Sequence, residues 1–205
     1  MCMEKTPWER SVEFHGHACM GLALGCRVAG AALQALGHKR DEDEELVAIV
    51  ENDSCAVDAI QVITGCTVGK GNMILRDFGK QAYTFALRNQ KKAIRVTAIS
   101  PAGEKQETMM ALRQKVFAGS ASAEEKALFQ ELSAEMLNDY LARPLEEVCA
   151  VAEIDYDLPE KARIFPSVTC SCCGEKVMEP RARLKNGKAA CIPCAEKYDR
   201  GWGNI

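Results

Sequence analysis

The sequence predicts an α+β protein, a mixed sheet with packed helices, followed by a small cysteine-rich C-terminal module. Three observations predict it. Short β-type runs and helical stretches follow one another without strict alternation, which argues against a doubly wound sheet. A charged, proline-flanked stretch, Asp155 to Pro166, reads as a linker. Beyond it two Cys-x-x-Cys pairs, Cys170/Cys173 and Cys191/Cys194, stand seventeen residues apart. The expected domains are therefore a core over residues 1–160 and a module over residues 166–205.

Gly21 to Leu36 is rich in Ala, Leu and Gly and stops at Gly37, so a helix packed on several sides is expected there. Leu46 to Val50 is a short β-type run, and Asp53 or Ser54 can cap a second helix over Ala56 to Thr64, closed by Gly65. Thr67 to Gly71 must be a loop. Met73 to Phe78, Ala82 to Leu87 and Ala93 to Ile99 read as strands. Two charged helical segments follow, Glu104 to Ala118 and Ala123 to Leu141, with a turn at Gly119 and Ser120. Val148 to Ile154 is the last expected strand of the core.

The C-terminal pairs have the spacing of a tetrahedral Zn²⁺ site, because a two-residue gap lets both thiolates of a pair reach one ion. So short a module cannot bury enough apolar surface to fold without such a staple. Asn186-Gly187 between short alternating segments signals a hairpin, and Ala195 to Arg200 is expected as a closing helix. Knuckle, hairpin and helix describe a treble-clef finger with Zn²⁺ held by Cys170, Cys173, Cys191 and Cys194; Cys172 is a surplus thiol. A redox dithiol or unpaired structural cysteines are the competing readings of the pairs.

Eleven cysteines and a net charge of −3 bound the remaining readings. The first ten residues carry charges of both signs and no apolar signal core, and no apolar run reaches the roughly 18 residues a membrane span needs. A cytoplasmic protein with reduced thiols is expected, with no membrane partner. Seven Lys/Arg stand against four Asp/Glu from Pro166 onward, while the rest is acidic. That surplus is too small to make nucleic acid the expected partner.

Phe14-His15-Gly16-His17-Ala18-Cys19 gathers two of the three histidines and a thiol in six residues. In an extended segment, side chains two apart share a face, so His15, His17 and Cys19 can converge. Cys19 and Cys55 each precede a helix, whose positive end favours a thiolate. Cys66 follows the glycine that ends the second helix. These groups suit a transition-metal or redox site; packing in the core is the plain alternative, and it is the reading for Cys26 and Cys149. His38, beside Lys39 and Arg40, reads as solvated. The glycine-rich loop from Gly65 to Asn72 lacks Walker A spacing, which leaves a backbone nest for another anion, with Lys70 nearby, or a plain tight turn.

The segments Phe14–Cys19, Glu51-Asn52-Asp53-Ser54-Cys55-Ala56-Val57-Asp58-Ala59-Ile60-Gln61 and Thr64-Gly65-Cys66-Thr67-Val68-Gly69-Lys70-Gly71-Asn72 resemble the E-subunit family of formylmethanofuran dehydrogenase. The Cys170 to Cys194 module looks like the treble-clef finger that some members append. The resemblance implies an α+β core, a homodimer, and a pocket of His17, Cys19, Cys55 and Cys66 with His15, Asp58 and Gln61 beside them. Met20 stands where members often carry proline. The candidate ligands of a second transition metal are thus His15, His17, Cys55 and Cys66, and the candidate catalytic residues are Cys19, Cys55 and Asp58. The resemblance implies no oxidation of formylmethanofuran by this chain, since that chemistry is carried by other subunits. The leading expectation, on that resemblance, is a metal-binding accessory protein of a molybdenum or tungsten enzyme system whose finger docks a partner protein. A zinc-finger regulatory or adaptor protein that binds nucleic acid or protein, and an enzyme with Cys19 or Cys55 as nucleophile, are the competing readings.

Overall fold

The computed structural model describes residues 4–99 and 104–196. The chain divides into two compact units, Met1–Lys161 and Ala162–Ile205. The core unit is α+β and is built on a five-stranded mixed sheet of order β2-β1-β3-β4-β5. These strands are β1 (Leu46–Val50), β2 (Met73–Leu75), β3 (Ala82–Leu87), β4 (Lys92–Ala98) and β5 (Cys149–Asp155). β1 and β2 run parallel, with Ile49 opposite Ile74; every other pair is antiparallel. β1 and β3 are buried along their whole length, which is why their sequences are almost continuously apolar rather than alternating.

The first helix, α1 (Pro7–His15), is not among the elements expected from the sequence. Its signals are local: Thr6 and Glu9 form a reciprocal capping box, Pro7 sits in the first turn, and Gly16 closes the helix at φ 91°. His15 is therefore the last residue of a helix, and the extended geometry expected from Phe14 to Cys19 is replaced by a helix, a reversal and a second helix. α2 (Met20–Leu36) starts at Cys19, whose sulfur accepts the Leu22 N–H at 3.4 Å, and ends at Gly37. It fills the core with Leu22, Ala23, Val28, Ala29 and Ala32, all fully buried.

Small residues on α2 set how closely α3 (Ala56–Thr64) can approach. A Cβ on Gly25 would collide with the Ala56 backbone, and one on Gly21 would lie 3.1 Å from the Cβ of Cys55. The first turn of α3 thus rests directly on α2. Arg27 of α2 donates to the carbonyls of Leu141 and Arg143, groups left open where α5 (Ala123–Ala142) ends.

Between β4 and β5 the chain makes a helical hairpin of α4 (Glu104–Phe117) and α5, tied by Lys115 to Glu125 and by Lys105 to Glu135. A four-residue helix, α6 (Leu145–Val148), leads into β5. β2 is shorter than the expected Met73–Phe78. Past Leu75 the backbone leaves the ladder, with Arg76 N–H on the Val50 carbonyl and Phe78 N–H on that of Glu51.

Among its described residues the C-terminal unit has two small hairpins, β6 (Ser167–Thr169) with β7 (Lys176–Met178) and β8 (Arg183–Lys185) with β9 (Lys188–Ala190), joined through a 3₁₀ turn at Glu179–Arg181. Asn186 and Gly187 turn the second hairpin at φ 50° and 76°, as a two-residue primed turn demands. Of the expected helix Ala195 to Arg200, Ala195 and Glu196 are not helical and residues 197–200 lie outside the described residues.

Candidate metal centre

In the C-terminal unit the sulfurs of Cys170, Cys173, Cys191 and Cys194 lie within 4.8 Å of one another. The knuckle forms because Gly174, at φ 78°, donates back to the Cys170 carbonyl at 3.0 Å. Cys173 and Cys191 sulfurs are 3.9 Å apart, and the Cys191 N–H donates to the Cys170 sulfur at 3.3 Å. Backbone N–H groups of Cys173, Cys191 and Cys172 hold the Cys170 thiol down at about 6, while the neighbouring Cys191 and Cys173 sulfurs push Cys194 up to about 12. Four sulfurs crowded so closely repel as thiolates and fit a shared soft divalent cation. Cys172 is exposed and is not one of the four.

The core unit has a second cluster. His15 ends α1, Gly16 reverses the chain, and Cys19 starts α2, so the donor atoms of His15, His17 and Cys19 come within 4.8 Å of one another. The two imidazole centroids are 4.5 Å apart. Nδ1 of His15 is 2.7 Å from a carboxylate oxygen of Asp58, in the first turn of α3. Asp58 accepts a hydrogen bond from Nδ1, and in the neutral ring that makes Nε2 the acceptor nitrogen, 3.8 Å from the Cys19 sulfur. Gln61, one turn on, donates to the other Asp58 oxygen at 3.5 Å. An imidazole oriented by a carboxylate, a second imidazole and a thiol form a donor set that fits a transition metal. The convergence expected of these residues is therefore present, produced by a helix–turn–helix instead of a strand.

Cys55 lies just before α3 against Gly21 and beside Cys19, outside the triple of donor atoms. Burial, and then the Cys19 thiol beside it, push the Cys55 thiol above its ordinary value. Cys66 is not brought to the cluster. It is fully buried in the core, its sulfur donates to the Leu46 carbonyl at 3.4 Å, and burial pushes its thiol up to about 11. The family resemblance implied a ligand at this position; here the thiol bonds to the backbone of β1. Cys149 is likewise buried and pushed up to about 11, and burial raises Cys26.

A hollow of about 310 Å³ adjoins the cluster, with His15, Asp53, Cys55 and Asp58 on its polar side and Val50, Val57, Val68, Met73 and Leu75 on its apolar side. Asn52, a motif residue with no role expected from the sequence, fixes one edge. Its carbonyl oxygen accepts from the Ser54 N–H and hydroxyl at 3.1 and 2.7 Å, and its amide donates to the Lys80 carbonyl and the Tyr83 hydroxyl. This Asx turn sets the path of Asp53 to Cys55. The Lys70 ammonium donates to the Glu42 and Asp43 carbonyls, and the glycine loop spends backbone N–H groups on itself, Lys70 on the Thr67 hydroxyl and Gly71 on the Val68 carbonyl. His38 pairs with the buried Asp41 at 3.3 Å instead of standing in solvent.

The family model described as "FmdE, Molybdenum formylmethanofuran dehydrogenase operon" matches residues 14–150. The chain belongs to the FmdE family. Residues 163–200 match the prokaryotic dksA/traR C4-type zinc finger, so the FmdE core is followed by a zinc-finger domain. A crystal structure of a tungsten formylmethanofuran dehydrogenase FmdE-like protein from Syntrophus aciditrophicus has the same fold. It covers 91% of this chain and 88% of its own, at 21% identity and a TM-score of 0.58. A curated relative from Archaeoglobus fulgidus, named "Probable S-adenosyl-L-methionine-binding protein", is 34% identical over 196 residues, 92% of this chain and 52% of the relative. This FmdE chain spans about half the length of that relative. No helix among its described residues is long and apolar enough to cross a membrane.

Proposed function

We propose that this FmdE-family chain is a metal-binding accessory protein whose core holds a transition metal between His15, His17 and Cys19, with Cys55 at the edge of the site. The single observation that carries the reading is the His15 arrangement: Nδ1 spent on Asp58, Nε2 turned to Cys19, and the His17 ring 4.5 Å away and tilted by 37°. Carboxylate-oriented histidines of this kind recur around protein-bound metals because the carboxylate fixes the tautomer and raises ligand basicity. When bound there, the metal supplies Lewis acidity or a site for a soft donor entering from the adjoining hollow. Asp58 orients His15, Gln61 donates to Asp58, Asn52 holds the turn that carries Cys55, and Val50 and Met73 give the adjoining hollow a buried apolar floor.

The finger, in this reading, carries a structural Zn²⁺ and docks a protein partner. Leu184 is 82% exposed on a hairpin that also bears Arg183, Lys185 and Lys188, and this basic hairpin is the surface such a partner would meet. The core works as a homodimer in the cytoplasm, where its free thiols stay reduced.

Metal analysis of the purified chain tests the central part. The wild type is expected to hold two ions per chain and the His17→Ala, Cys19→Ala variant one. One ion in both, carried by the finger, removes the core site.

A further inference from the structure

We propose that the hollow beside the core cluster binds a small molecule with an apolar body and one positively charged nitrogen, the cation resting against Asp53. The inference goes beyond the metal reading, because it concerns the hollow and requires no ion between His15, His17 and Cys19.

The two sides of the hollow come from separate pieces of chain, and a buried asparagine fixes each. On the polar side the Asn52 amide oxygen accepts from the Ser54 N–H and hydroxyl, which shapes the turn carrying Asp53. On the apolar side Asn72 is fully buried; its oxygen accepts from the Thr67 N–H at 2.9 Å, and its amide donates to the Asp43 and Leu46 carbonyls at 3.2 and 2.9 Å. These bonds hold the loop bearing Val68 against the start of β2, where the Met73 N–H reaches the Thr67 carbonyl at 3.2 Å. β2 then pairs with β1 so that Leu75 stands opposite Val50. Walls held by buried hydrogen bonds are in place before a ligand arrives.

Val68 and Leu75 say what the ligand's body must be. Both line the hollow, yet they are 68% and 54% exposed. An apolar group that covers them gains burial that the fold itself leaves unmade. Val50 and Met73, both buried, close the floor beneath. At about 310 Å³ the hollow lies at the small end of ligand pockets, roughly 300–1,000 Å³, and suits a fragment-sized body.

Charge sets the other end. Asp53 and Asp58 line the hollow, and no Lys or Arg does. Asp58 is engaged by His15 and Gln61, whereas the Asp53 carboxylate has neither hydrogen bond nor ion pair among the described residues. Lys70, on the glycine loop, spends its ammonium on the Glu42 and Asp43 carbonyls. An anionic head therefore meets repulsion, and an ammonium group meets an unpaired carboxylate.

Three probes of one chain length test this: hexylammonium, hexanol and hexanoate, titrated into the full zinc-loaded chain and followed by backbone amide NMR. Hexylammonium is expected to bind tightest and hexanoate weakest, with shifts confined to the amides of residues 53–58 and 67–75. Asp53→Asn is expected to weaken hexylammonium about 5-fold, the upper end for an exposed ion pair, and to leave hexanol unchanged. Val68→Ser, at a position the fold does not bury, is expected to weaken both about 10-fold. Silence of those amides toward hexylammonium overturns the proposal, as does hexanol or hexanoate binding equally well. Unchanged hexylammonium binding in Asp53→Asn overturns the place given to the cation. Metal counts on the same samples separate the two readings. Hexylammonium binding in a chain that holds only its finger ion keeps this inference and loses the core metal, whereas two ions without binding do the reverse.

Discussion

Glu51 closes β1 and sits 7% exposed, so its charge must be met. Arg95 of β4 meets it with two hydrogen bonds of 2.5 and 3.1 Å, and Thr84 accepts a third from the same guanidinium. The guanidinium holds the Glu51 carboxyl below its ordinary value of 4.5. A lowered carboxylate contributes stability that is present above the unfolded value and lost as pH falls through the folded one. Glu51→Gln is therefore expected to cost about 2 kcal/mol at neutral pH, typical of a charged hydrogen bond. In urea melts the gap between wild type and variant should shrink as pH drops below 4.5. A gap that stays constant down to about pH 3 would show that the pair does not anchor the strand end beside the site. Asn52 next to it was legible as a motif residue, but its contacts to Lys80 and Tyr83 join positions some thirty apart, which spacing alone does not reveal.

At the scale of elements, the α2–α3 contact decides whether a site exists. Gly25 admits the Ala56 backbone where any Cβ would collide. Gly25→Ala is expected to destabilise the core by about 3 kcal/mol through overpacking, and to lower core metal binding while the finger keeps its ion. Thermal melts together with metal counts check both halves; an undisturbed variant would mean the helices can separate at no cost.

The helices α2, α3 and α5, the strands β1 and β3, and the primed hairpin turn were all readable, because capping residues and period are local signals. α1 was not expected, although Thr6-Pro7 and Glu9 carry its start signal, because its short length and mixed polarity gave no clear helical period. Consequently the sequence groups His15, His17 and Cys19 for the wrong geometric reason. Cys66 misleads because whether a thiol after a glycine cap points into the core or toward a pocket is fixed by β1, not by its neighbours.

Across the whole molecule, the two units draw stability from different sources. The core buries a contiguous apolar cluster from α2 through β4, whereas the four strands of the finger are three residues each and largely exposed. Zinc ligation must supply the folding energy the finger cannot bury. Adding a strong chelator is expected to unfold residues 166–196 while the core keeps its cooperative melt, as hydrogen exchange would resolve. Slow exchange persisting in β6 to β9 after complete metal removal would contradict that division.

The most direct test of the account is anomalous scattering from crystals of the full chain. Two peaks are predicted, one enclosed by Cys170, Cys173, Cys191 and Cys194, the other touching His15, His17 and Cys19. A lone peak in the finger, with the His15 and His17 rings turned away from Cys19, would contradict it.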